Sequence, residues 1–91
     1  MVKVLIFTLP TCAPCNALKA DIKDKEFEAE IYMYDMSDPT GDVVELSVKY
    51  NVRSAPTVVV LKDDGSVYYS GTQVKTSEKI NELVKEAKQR G

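Results

Sequence analysis

Apolar and polar positions along this chain switch between two periods. Val2 to Phe7 is almost continuously apolar and rich in β-branched and aromatic residues, the pattern of a strand covered on both faces. Leu9-Pro10-Thr11 interrupts it. Pro14 then stands where a first helical turn would begin, a place that tolerates proline because its missing N–H is not needed there. Ala17, Leu18, Ala20 and Ile22 continue at helical spacing, and the helix should fade near Lys23 to Lys25. Lys19, Asp21, Lys23 and Asp24 read as its solvated face, and Asn16 is expected to face water. Glu30 to Met36 returns to a period of two: Ile31 and Met33 point one way, Tyr32 and Tyr34 the other, all as sheet-packing residues.

Ser37-Asp38-Pro39-Thr40-Gly41 is turn chemistry. Asp42 to Tyr50 reads as a second helix, with Val43, Leu46, Val48 and Tyr50 toward the core. After a loop over Asn51 to Pro56, Thr57-Val58-Val59-Val60-Leu61 gives the strongest strand signal and belongs at the centre of a sheet. Asp63-Asp64-Gly65-Ser66 supplies a tight hairpin, because Asp-Gly suits positions where φ is positive. Val67 to Ser70 returns as an edge strand. Thr76 or Ser77 caps a last helix, with Glu78 in its first turn. Ile80, Leu83, Val84 and Ala87 make one apolar stripe along it, and Lys85, Lys88 and Arg90 suit the negative pole of its dipole. The order β-α-β-α-β-β-α predicts an α/β fold. Its four-stranded mixed sheet should carry helices on both faces, since the first and third strands are apolar on both sides.

Ninety-one residues fit a single domain over 1–91. Lys and Arg total 12 against 14 Asp and Glu, a net charge of −2, which argues against nucleic acid as a partner. No apolar run approaches the roughly 20 residues of a membrane helix, so no membrane is expected, and a monomer is. The chain has no His, which removes every mechanism built on an imidazole base. Its two cysteines, Cys12 and Cys15, cannot complete a four-ligand zinc site within one chain and are too few for a disulfide scaffold. The start Met1-Val2-Lys3-Val4-Leu5-Ile6-Phe7-Thr8 has a short apolar part with no small-residue cleavage pattern after it, so a cytoplasmic protein is expected.

Thr11-Cys12-Ala13-Pro14-Cys15 lies between a strand and a helix, and that position matters more than the spacing. Helix N-termini expose unpaired N–H groups and positive potential, which stabilise a thiolate. Cys12 should precede the first turn, with a pKa lowered from about 8.5 to about 7 or less, and Cys15 should lie within the turn. Cys12 would attack a substrate disulfide, and Cys15, more buried, would displace the product thiol. A stapling disulfide is the plainer alternative, but so short a loop removes little chain entropy.

The chain resembles a short member of the thioredoxin superfamily, between thioredoxin and glutaredoxin. Cys12-Ala13-Pro14-Cys15 after the first strand, the element order, Arg53-Ser54-Ala55-Pro56-Thr57 before the third strand, and the Asp64-Gly65 hairpin followed by Gly71 carry the resemblance. It starts without the additional N-terminal strand and helix of full-length thioredoxins, an architecture closer to glutaredoxin. The resemblance implies that Pro56 is cis and faces the cysteine pair, and that the Ala55 backbone binds an extended substrate segment, with Thr11 and Thr57 lining the groove. It implies that Ala13 and Pro14 tune the pair, and that no bound cofactor and no metal are needed. The expected potential is about −200 to −270 mV. Disulfide-containing protein substrates, and a thioredoxin-reductase-type enzyme or glutathione for recycling, are the implied partners.

Three departures stand out. Thr11 replaces the usual Trp before the first Cys. Ile6 occupies the place of the buried acid of thioredoxins, which leaves water, Asp35 or the leaving thiolate to take the Cys15 proton; Asp35 itself reads as a strand-end acid bound to backbone or solvent. Pro14 and Gly71-Thr72-Gln73 stand where glutaredoxins carry parts of their glutathione-binding set, which favours a dithiol–disulfide oxidoreductase recycled by a reductase over a glutathione-dependent glutaredoxin. A soft-metal module is a weaker alternative, since copper chaperones place Met where Pro10 stands and Pro14 removes an N–H from the binding loop. A structural adaptor on this fold is another.

Overall fold

The strand at residues 3–8 is apolar on both faces because it lies inside a sheet whose two faces are both covered by helices. In the computed structural model, which describes residues 1–38 and 42–90, the elements are β1 (Lys3–Thr8), α1 (Ala13–Ile22), β2 (Glu30–Asp35), α2 (Val43–Lys49), β3 (Thr57–Leu61), β4 (Val67–Gly71) and α3 (Ser77–Arg90). The sheet order is β2-β1-β3-β4. β1 and β2 run parallel, with Val4 opposite Ile31 and Ile6 opposite Met33. β3 is antiparallel to both β1 and β4. Pro39, Thr40 and Gly41 of the expected turn lie outside the described residues.

The period of two in β1 and β3 sorts their side chains into two cores. Val2, Val4, Ile6, Val58 and Val60 pack on one face with Leu18 of α1 and with Ile80, Leu83, Val84 and Ala87 of α3. Leu5, Phe7, Val59 and Leu61 pack on the other with Val52, Leu46 and Tyr50, so α2 covers this side. Val74, in the connection before α3, is fully buried and joins the first core. The α3 stripe is buried along its whole length, and Thr76 starts the helix: its hydroxyl accepts the Lys79 N–H at 3.2 Å. Such a cap contributes about 1 kcal/mol. Between β3 and β4, Gly65 takes φ +89°, a conformation that side chains resist, while Asp64 Oδ1 accepts the N–H and O–H of Ser66.

Three expectations are corrected. Val48 is 77% exposed rather than in the core. At 100° per residue it turns to the far side of α2 from Val43 and Leu46, which fill the narrow stripe of so short a helix. Tyr32 and Met33 are exposed because β2 is an edge strand; Tyr34 alone of the three packs firmly, stacking on Phe7 with centroids 5.3 Å apart. Asp21 is not merely a solvated residue: its Oδ2 accepts the Ser77 N–H at 2.6 Å and clasps α1 to the start of α3.

Hydrogen bonds from the Ser77 backbone and hydroxyl, helped by the Lys25 charge, hold the Asp21 carboxyl below its ordinary value of 3.8. A carboxyl lowered in the folded state stabilises the fold above its unfolded value, and that contribution is lost as pH falls through the folded value. Asp21→Ala is therefore expected to lower Tm at neutral pH, and the gap from the parent protein to shrink below about pH 4. Thermal unfolding over a pH series checks this; a gap that ignores pH would refute it.

Candidate active site

β1 ends in a turn that delivers Cys12 to the start of α1. The Cys12 N–H donates to the Leu9 carbonyl at 3.1 Å, and the Asn16 N–H donates to the Cys12 carbonyl at 3.1 Å as the first helical bond. Cys12 itself is the N-cap, with extended backbone at φ −89° and ψ 110°. Its Sγ accepts the Cys15 N–H at 3.2 Å, the bond a Ser or Asp side chain makes at this position. Pro14 sits in the first turn, where the lack of an N–H costs nothing. Asn16 is exposed, as expected, and its side-chain amide also reaches the Pro10 carbonyl at 3.4 Å, bracing the turn.

Cys12 and Cys15 are joined as a disulfide, with Cα atoms 5.2 Å apart. The two differ in access. Cys12 is half-buried, flanked by exposed Thr11, Ala13 and Pro14, whereas Cys15 is completely buried. Access and an amide donor thus fall on the first sulfur and burial on the second.

The second half of the site comes from the end of α2. The Asn51 N–H donates to the Val48 carbonyl at 3.2 Å and the Val52 N–H to the Ser47 carbonyl at 2.8 Å, a Schellman termination. Asn51 takes the left-handed φ of 55° that this motif requires, a conformation asparagine tolerates. Val52 then enters the core beside Leu46. This fixes the path of Arg53 to Pro56, whose exposed Arg53 is held by Nε donating to Asn51 Oδ1 at 3.1 Å.

The Ala55–Pro56 bond is cis. Thr57 pairs with Phe7, so Pro56 enters β3 at the same end of the sheet where β1 passes into the Cys12 turn. Pro56 and Thr57 are buried, Ala55 partly so, and the Thr57 hydroxyl donates to the Ser54 carbonyl at 2.6 Å. Asp35 lies exposed at the end of β2. Its Oδ1 accepts both the hydroxyl and the N–H of Ser37, which lower its carboxyl from 3.8, so it is bound to its own turn. The residues that sequence reasoning passed over are Asn51 and Ser54, which shape the proline loop. An Asn just past a helical stretch was the available signal for the first.

The profile of the thioredoxin-like domain matches residues 2–88, nearly the whole chain. The chain belongs to this thioredoxin-like family. Solved structures agree in fold. A malarial protein superposes with a TM-score of 0.78 at 21% identity, over 97% of this chain and 98% of its own. A mutant thioredoxin from Halobacterium salinarum gives 0.78 at 20% identity, over 94% of this chain and 74% of its own. Thioredoxin f from spinach chloroplast gives 0.72 at 21%, over 94% and 75%. A thioredoxin-like fold carrying a cysteine pair at disulfide distance supports a thiol–disulfide redox role.

Proposed function

We propose that this protein is a dithiol–disulfide oxidoreductase that reduces disulfides in other proteins. The observation that carries the reading is the asymmetry of the pair: Cys12 is accessible at a helix N-cap and receives an amide hydrogen bond, while Cys15 is buried one turn on. In the reduced protein the Cys12 thiolate attacks one substrate sulfur, forming a mixed disulfide and releasing the other sulfur. Cys15 then attacks Cys12 Sγ, which closes the Cys12–Cys15 bond and frees the substrate as a dithiol. Two electrons pass from the pair to the substrate, and no cofactor takes part.

The Ala55 backbone beside cis Pro56 receives an extended substrate segment by strand-type hydrogen bonds, and exposed Thr11 borders the same groove. Thr57 acts from below, by holding Ser54 in place. Ala13 and Pro14 tune the pair from the exposed side of the first turn. Departure from the glutathione-binding pattern at Pro14 and Gly71-Thr72-Gln73 supports recycling by a partner reductase, in a cytoplasmic setting.

Cys15→Ser is expected to accumulate a covalent adduct with a disulfide-bearing protein substrate, linked through Cys12 and released by dithiothreitol. Peptide mapping by mass spectrometry reads the linkage. No adduct, or an adduct elsewhere, overturns the assignment.

A further inference from the structure

A bulge in β4 turns two adjacent tyrosines to one face of the sheet. Val60 pairs with Tyr69 and Leu61 with Val67, so Tyr68 is the additional residue. Tyr68 and Tyr69 therefore both pack against the core shared with α1 and α3. Tyr68 is held there: its hydroxyl donates to Glu86 Oε1 at 2.6 Å, and the Arg90 guanidinium stands 5.9 Å from its ring centre. Tyr69 is not tied in this way. Among the described residues its hydroxyl has no hydrogen-bond partner, and it is open to solvent.

The Tyr69 ring instead lies along the strand toward Gly71. A Cβ at Gly71 would stand 2.8 Å from Tyr69 Oη and 3.2 Å from Cζ. The glycine thus leaves the space that the end of the ring fills. Residues two apart on a strand are separated by about 6.6 Å, so the ring carries its hydroxyl from the level of Val60 to that of Val58. That is the end of the sheet where Pro56 enters β3 and β1 passes into the Cys12 turn. It is also the face on which α1 packs. Because β3 lies between β1 and β4, its start runs between the Cys12 turn on one side and Tyr69 with Gly71 on the other.

Resting on the oxidoreductase reading, we infer that Tyr69 is a substrate-binding residue whose hydroxyl donates a hydrogen bond to a backbone carbonyl of the substrate segment that Ala55 receives. A segment added as a strand pairs along one edge and leaves the carbonyls of its other edge without partners. The free phenol on the β4 side supplies a donor for one of them. The ligand class is an extended peptide around the disulfide; a small disulfide without peptide bonds gains nothing from Tyr69.

Tyr69→Phe removes the hydroxyl and keeps the ring. Two probes read its effect: a short peptide closed by an intrachain disulfide, and cystamine, which has no carbonyl. Reduced protein is mixed with each probe in excess, and oxidation of Cys12 and Cys15 is followed by acid quench and mass spectrometry. The second-order rate constant with the peptide is expected to fall about three- to tenfold, the share of one neutral hydrogen bond, and that with cystamine to stay level. Gly71→Ala, whose Cβ pushes aside only the far end of the ring, should give the same split, and adding it to Tyr69→Phe should change little further. Unchanged peptide reduction by Tyr69→Phe, or equal slowing with both probes, would overturn the inference and leave the oxidoreductase reading standing. If the parent protein reduces neither probe, the oxidoreductase reading itself fails.

Discussion

Cys12→Ser is expected to cut disulfide reduction by at least about a thousandfold, to the rate without protein, because removing a nucleophile removes every step that follows it. The fold should not suffer. Cys12 is an N-cap whose side chain accepts the Cys15 N–H, and serine is among the best residues for that place. Reduced parent and variant should therefore melt at similar temperatures while differing wholly in activity. A turnover assay with a protein disulfide, run beside thermal unfolding, gives both numbers. Residual activity above a few per cent would mean that Cys15, buried as it is, can start the reaction alone.

Phe7→Ala is expected to act on the opposite link, stability. Phe7 is completely buried, lies in the α2-side core and stacks on Tyr34. Truncating a buried Phe costs about 3–5 kcal/mol. A domain of this size holds only about 5–14 kcal/mol in all. At roughly 4–8 °C per kcal/mol, Tm should fall by at least about 12 °C. Phe7 also pairs with Thr57, one residue from cis Pro56, so the proline loop should loosen with it. Differential scanning calorimetry measures the first effect, and amide exchange at Ser54 and Ala55 the second. A Tm shift of only a few degrees would show that the core refills around the missing ring.

Much of this was legible in the residues, for reasons that differ by element. β1 and β3 were readable as central strands because burial on both faces leaves an unbroken apolar run. α3 was readable because four apolar residues at helical spacing leave one face only. The Cys12 turn was readable because proline in a first turn and two cysteines between a strand and a helix admit few alternatives. Val48 was misplaced because its apolar, β-branched side chain suggests burial, whereas at 100° per residue its spacing from Val43 and Leu46 turns it outward. Tyr32 and Met33 depended on which strand lies at the edge, a long-range fact that alternation does not encode. The Asp21 clasp joins residues 56 apart, and a charged residue on a helix gives no local sign of such a partner. The cis state of Pro56 was suggested by the resemblance rather than by its own neighbours; an isolated proline in a loop is more often trans.

The proposed reaction stands on the ionisation of one sulfur. Its most direct measurement is the pH dependence of Cys12 alkylation by iodoacetamide in the Cys15→Ser protein. The amide that donates to Cys12 Sγ and the helix terminus behind it predict half-ionisation clearly below the free-thiol value of about 8.5. A midpoint at or above 8.5 would contradict the account.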